Sequence, residues 1–205
     1  MTGVAFTSAG VAAAGTESPR AYFRRYLAER VLRGSDLHWY FDQALPHFGE
    51  SDEVRLAVEE IVDRLARLVG FDVAREDEAS HAVWTSPGGH QMLVWVVDRA
   101  TAVAGIGQAT RARDARLASE HVTPWTEVSC LLVICGAAST RGLSEAMVLR
   151  RAGDHQRFAT VDALRELAGL HERGDAAHET VLAVLKPASA FADPLVALIA
   201  RQRER

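Results

Sequence analysis

Three groups of residues in this chain have types and spacings that could do chemistry. The first is acidic. Glu76-Asp77-Glu78 places three carboxylates in a row, and Asp98 closes the apolar run Met92-Leu93-Val94-Trp95-Val96-Val97. Carboxylate oxygens gathered around one cation can hold a metal ion, whereas a run of acids in a polar connection is ordinarily a solvated loop. The second group is arginine, in Arg20/Arg24/Arg25 and in Arg111/Arg113/Arg116. The guanidinium fork suits phosphate, so both clusters are candidate nucleic-acid contacts. Lys186 is, however, the single lysine among 23 basic residues, so arginine must also serve here as the ordinary solubilising cation.

The third group comprises residues whose plain reading is structural. Trp95 could stack on a base, but within an apolar strand it reads as core. His81 is a lone imidazole beside a polar turn. His171 and His178 stand seven apart with Gly174 between them, which argues against one metal-binding helix face. Cys130 and Cys135 lie in one apolar run at a spacing of five. A strand would send them to opposite faces, as small buried hydrophobes rather than a disulfide or metal pair. That usage fits a reducing cytosol. Lys186 has no glycines before it, which excludes a phosphate loop, and Gly105-Ile106-Gly107 lacks the third glycine and preceding strand of a dinucleotide loop.

These residues must be positioned by elements that the sequence signals clearly. Ser18 and Pro19 start a helix that Gly34 stops, with Phe23, Leu27 and Val31 as its apolar stripe. A short helix with Trp39, Tyr40 and Phe41 precedes Pro46. A third runs from a Ser51 cap to about Val69, with Val54, Ile61, Leu65 and Leu68 on one face and Gly70 as terminator. Strands follow: Phe71–Arg75, then His81–Thr85 and Gln91–Val97 as a hairpin around Pro87-Gly88-Gly89. A helix is expected from about Val103 to Ser119, a strand over Val128–Cys135, a helix over Leu143–Arg150 and a strand over Arg157–Val161. Helices at Asp162–Leu170, at Ala176–Lys186 after an Asp175 cap and at Pro194–Arg205 after an Asp193 cap complete the chain. The runs Gln91–Val97 and Val128–Cys135 are apolar on both faces, as interior strands are. A β-α-β crossover between them implies a mixed sheet with helices on both faces, a three-layer α/β sandwich.

Bulk composition narrows the function classes. The chain has 205 residues, 48% hydrophobic and 24% charged, with a net charge of −4. The charge argues against a surface built to coat nucleic acid, although a local basic patch is compatible with it. The longest apolar run is far short of the ~20 residues of a membrane helix. The amino-terminal residues lack the basic start of a secretion signal and read as a frayed tail. A cytoplasmic protein without membrane association is expected, with residues 1–50 forming helices packed on a core of residues 51–205.

From Ser51 to Leu170 the ordered set of textures resembles the restriction-endonuclease-like fold, the PD-(D/E)xK superfamily, and within it the Mrr type. The pieces are Leu68-Val69-Gly70-Phe71, the hairpin arm ending Val96-Val97-Asp98-Arg99, an arginine-rich helix containing Gln108, the strand exit Ile134-Cys135-Gly136-Ala137-Ala138-Ser139-Thr140, and Phe158-Ala159-Thr160-Val161-Asp162-Ala163-Leu164-Arg165-Glu166-Leu167. The resemblance implies Mg²⁺ chemistry with one carboxylate on each hairpin arm and a lysine two residues after the second. Laid over this chain, the first acid falls at His81 or Ala82, the second at Trp95 and the lysine at Val97. The motif is therefore degenerate, and no catalytic residue, metal site or cofactor is expected. The reading is a non-catalytic nuclease-fold domain that binds a protein partner or nucleic acid, in a restriction or phage-defence setting. Two alternatives stand beside it. One is an active Mg²⁺-dependent nuclease whose acids have migrated to Glu76, Asp77, Glu78 or Asp98. The other is a structural homo-oligomeric subunit in contact through Trp39-Tyr40-Phe41.

Overall fold

Five strands form one mixed sheet in the order β1-β2-β3-β4-β5: β1 Asp72–Ala74, β2 Ala82–Thr85, β3 Gln91–Asp98, β4 Val128–Cys135 and β5 Gln156–Thr160. The computed structural model of the protein describes residues 18–75, 81–119, 127–135, 155–187 and 191–203. The β1/β2 and β2/β3 pairs are antiparallel, and β3/β4 and β4/β5 are parallel. β3 and β4 lie at the centre, as their two-faced apolarity requires. Along β3, Met92, Val94 and Val96 enter one core, while Leu93, Trp95 and Val97 enter the other.

The first core lies under helices α1 Pro19–Arg30, α2 Leu37–Ala44 and α3 Asp52–Leu68, and under the later helices α5 Val161–Glu172, α6 His178–Leu185 and α7 Asp193–Arg203. Leu27, Val31, Leu37, Phe41 and Ala44 of the amino-terminal helices are buried in the same cluster as Val58, Ile61, Val62 and Leu65 of α3. Helix α4, Arg99–Leu117, covers the second core. A Cβ placed on Gly105 would stand 3.0 Å from Leu132 Cδ2, so this glycine serves close helix–sheet packing.

Local chemistry accounts for the boundaries. Ser18 Oγ accepts from Ala21 N at 3.1 Å, and Ser51 Oγ accepts from Val54 N at 3.3 Å. Gly70, at φ +98°, turns the chain out of α3. His178 Nδ1 meets the Val69 carbonyl at 2.7 Å, and a Cβ on Gly70 would come within 2.8 Å of that nitrogen. The bare Gly70 backbone thus lets the start of α6 latch onto the end of α3.

Several boundaries differ from the sequence expectation. Helix α1 ends at Arg30, and Gly34 instead opens a 3-10 turn. Helix α4 begins at Arg99 rather than near Val103, because Asp98 caps it by accepting from Thr101 N at 2.6 Å. β5 and α5 are capped at their junction by Thr160, whose Oγ1 accepts from Ala163 N at 3.1 Å. Asp175 does not cap α6. It pairs with Arg173 Nε at 3.1 Å, and Ala177 holds the cap position without a side-chain bond. Asp193 is the first residue of α7, and its carboxylate binds Thr160 Oγ1 at 2.5 Å across the sheet end. Residues 136–154, which include the expected helix Leu143–Arg150, lie outside the described residues, as do Glu76, Asp77 and Glu78. Among the described residues no helix is long and apolar enough to cross a membrane.

Candidate functional site

Helix α3 carries Glu59, Glu60 and Asp63 inside its apolar face, in the run Val58-Glu59-Glu60-Ile61-Val62-Asp63. The side chains are 2%, 1% and 0% exposed. Carboxylates this deep must be paired, because an isolated buried charge is very unfavourable. Four arginines do the pairing. Arg20 sends Nε to Glu60 and Nη2 to Glu59, both at 2.7 Å. Arg24, one turn further along α1, grips Glu60 at 2.8 and 2.9 Å. Arg55 reaches Glu59 at 2.8 Å. Arg75, just after β1, binds Asp63 at 2.5 and 3.2 Å and Glu59 at 3.2 Å, and its side chain is 0% exposed. Trp84 on β2 donates its indole N–H to Asp63 at 3.0 Å.

The arrangement follows from helical spacing. Glu59 and Asp63 are one turn apart and face the β1–β2 edge, while Glu60 faces α1, where Arg20 and Arg24 are also one turn apart. Burial pushes the Glu60 carboxyl up, but the hydrogen bonds and charges of Arg24 and Arg20 outweigh it and hold the group below its ordinary range. This network was not visible as a site in the sequence. Its only signal is acids set inside an apolar helix stripe, opposite an arginine pair near the start of the chain.

The positions that align with nuclease chemistry gather on the other side of the sheet. His81 stacks on Trp95, ring centroids 4.7 Å apart. Trp95 and Val97 sit in the core beneath α4, together with Leu93, Ile106, Leu132 and Ile134. The Trp95 Nε1 atom is buried with no hydrogen-bond partner among the described residues. Ala82, by contrast, is paired with Val94 and faces α3. Of the acids considered as migrated ligands, Asp98 serves as the α4 cap and also takes the Thr101 hydroxyl at 2.8 Å. It pairs in register with Cys135. Burial pushes the Cys135 thiol up, and the charges of Asp98 and Glu59 push it further. Asp77 and Glu78 lie outside the described residues. Among the described residues, no group of three or more His, Cys, Asp or Glu is arranged to hold a metal ion.

The arginine clusters divide. Arg20 is turned inward to the α3 carboxylates and Arg24 is half-buried beside it, while Arg25 lies over the Tyr22 ring at 5.5 Å. In α4, Arg111 is exposed. Arg113 donates to the Val128 carbonyl, and Arg116 to Gln91 Oε1, each at 3.0 Å. These two therefore dock the end of α4 onto the starts of β3 and β4. The cysteines occupy opposite faces: Cys130 under α4, its thiol pushed by burial to about 12, and Cys135 under α3. His171 and His178 bind separate backbone carbonyls, of Ala176 and Val69.

No protein-family model and no curated protein matches this chain. Among solved structures it is similar to the restriction endonuclease FokI, with a TM-score of 0.53 and 11% identity, over 83% of this chain and 34% of that one. The chain thus spans about a third of that protein's length. With the mixed sheet and its flanking helices, this likeness shows that the chain has the restriction-endonuclease-like α/β sandwich fold.

Proposed function

We propose that this chain is a nuclease-fold domain that does not cleave nucleic acid and acts instead by binding, to a protein partner or to nucleic acid, in a restriction or phage-defence setting. The observation that carries the reading is the pairing of the α3 carboxylates. Glu59, Glu60 and Asp63 are neutralised by Arg20, Arg24, Arg55 and Arg75, and the hairpin beside them offers Ala82, Val94 and Val96. A divalent ion entering there would have to displace the guanidinium groups that already satisfy these carboxylates, and the hairpin beside them would add only methyl groups to its coordination. On the α4 face, the aligned positions supply imidazole, indole and isopropyl. The cation that would meet charge developing on phosphate has no counterpart at Val97. Exposed Arg25 and Arg111 are the members of the two clusters best placed to meet a phosphate backbone.

The test is incubation with plasmid, single-stranded DNA and RNA at millimolar Mg²⁺ and Mn²⁺, beside a variant carrying Asp77→Ala, Glu78→Ala and Asp98→Ala. The expected result is intact substrate in every lane. Cleavage by the parent that the triple variant abolishes would establish the migrated-acid nuclease in its place. Binding that weakens steeply with salt, without cleavage, identifies nucleic acid as the ligand.

A further inference from the structure

At the amino ends of β3 and β4, the fold brings together a serine, a histidine and a glutamate from three segments. His90 ends the turn Ser86-Pro87-Gly88-Gly89. That turn is closed by Gly89 N to Ser86 O at 2.9 Å, with Gly89 at φ +84°. Ser86 then fixes the backbone of His90, accepting from His90 N at 3.1 Å. Ser129 is the second residue of β4, and Glu127 immediately precedes that strand. Ser129 Oγ lies 2.8 Å from His90 Nε2, and His90 Nδ1 lies 3.1 Å from Glu127 Oε2. His90 and Ser129 are 8% and 3% exposed and both line an open cavity of about 520 Å³. Arg113 and Lys186 also line it.

We propose that Ser129, His90 and Glu127 form an acyl-transfer site in which Ser129 is the nucleophile, and that the cavity takes a small carboxylic ester bearing a negative charge. The hydrogen-bond roles are fixed by what each atom can do. An ionised carboxylate only accepts, so His90 Nδ1 carries the hydrogen and the lone pair of the neutral ring is on Nε2, facing the serine hydroxyl. That is the arrangement in which an imidazole removes a serine proton. The ring bonds Glu127 and Ser129, and Lys186, Arg113 and His155 line the same cavity. Burial holds His90 below its ordinary range and the Lys186 charge adds to this, against the opposing pull of Glu127. The base is therefore unprotonated at neutral pH. Glu127 is itself held below the usual carboxylate range by hydrogen bonds from Lys186 and His90. It acts through His90, as a positioning residue.

The steps balance without a cofactor. Ser129 Oγ attacks the carbonyl carbon as its proton passes to His90 Nε2. The tetrahedral adduct collapses, the bond to the alcohol oxygen breaks, and His90 returns the proton to that leaving group. Water then adds to the seryl ester with His90 again taking the proton, and release of the carboxylic acid restores the hydroxyl. Among the described residues Arg113 and Lys186 bring two cations to this wall, while Glu127 binds Lys186 and Asp114 lies 3.6 Å from Arg113. The guanidinium and the ammonium are the groups that would pair with an anionic acid portion and with charge developing on the carbonyl oxygen.

The proposal concerns the opposite end of the strands from Asp98, so it stands or falls separately from the non-cleaving reading. Its test uses the full chain and a fluorophosphonate probe, with the modified residue mapped by mass spectrometry. Hydrolysis of the 4-nitrophenyl monoester of succinic acid is followed alongside that of 4-nitrophenyl acetate. The expected outcome is a single adduct at Ser129, lost in Ser129→Ala and formed roughly a hundredfold more slowly in His90→Gln. The labelling rate should rise with pH through a midpoint below 6.5 and then level off. Glu127→Gln should move that midpoint downward, which loss of a merely structural contact would not do. Succinate ester turnover should exceed acetate turnover. Absence of a Ser129 adduct on the folded parent overturns the proposal, as does labelling that is independent of pH. The parent protein alone decides these two outcomes, even if a variant fails to fold.

Discussion

Under α3, three carboxylates that are at most 2% exposed face four guanidinium groups. At the amino ends of β3 and β4, the Glu127 carboxylate is 67% exposed and meets one imidazole and one ammonium at the rim of a cavity. Both groupings join distant segments through charge-assisted hydrogen bonds, yet they differ in what is left over. In the first, the carboxylates of α3 and the arginines that meet them close on each other, and a ligand could enter only by breaking buried pairs. In the second, the ring nitrogen faces a hydroxyl beside open space. Polar clusters of similar chemistry thus serve architecture or reactivity according to whether their charges are already matched and whether solvent can reach them.

Removing one partner on each side measures that difference. Arg75→Ala should give the largest effect. It leaves Asp63 with the Trp84 indole alone and removes one of the Glu59 contacts. Loss of about 3–5 kcal/mol in urea unfolding is expected, since the remaining charge stays buried. A loss below about 1 kcal/mol would mean that water relaxes into the network and that it is not a closed unit. Acidification should act next. Folded Glu60 holds its proton more weakly than its ordinary value of 4.5. The stability it contributes is therefore present above that value and lost as pH falls through and below it. Melting temperature against pH should show this loss in the parent and a flatter acid limb in Glu60→Gln. The smallest effect is expected from Ser129→Ala, about 1 kcal/mol, because the His90 nitrogen it exposes faces the cavity and can bind water. If Ser129→Ala unfolds the protein as readily as Arg75→Ala, the cavity end is scaffold too.

The fold was legible because its strongest determinants are local. β3 and β4 are apolar on both faces, Gly70 and the Pro87-Gly88-Gly89 turn punctuate the elements, and Ser18 and Ser51 cap helices as their positions predict. The α3 network was not legible, because Arg20 and Glu60 are separated by 40 positions and each resembles an ordinary surface charge on an amphipathic helix. The cavity was hidden for a related reason. His90 reads as the polar end of a turn, and Ser129 as a minor residue in a run notable for its cysteines. Only the parallel pairing of β3 with β4, which sets Met92 opposite Ser129, brings the two together. The sequence expectation starts α4 near Val103, whereas Asp98 meets the unpaired N–H groups of a helix that begins at the next residue.

The latch between His178 and the Val69 carbonyl spans 109 positions. Its consequence lies in the order of assembly. During synthesis, α3 and the β2–β3 hairpin can form from contacts close in sequence, but the end of α3 cannot be locked until α6 has emerged. Contacts between such distant positions slow the search for the native state, since a large loop must close before they stabilise anything. A side chain at Gly70, whose Cβ would stand 2.8 Å from His178 Nδ1, would oppose that late closure.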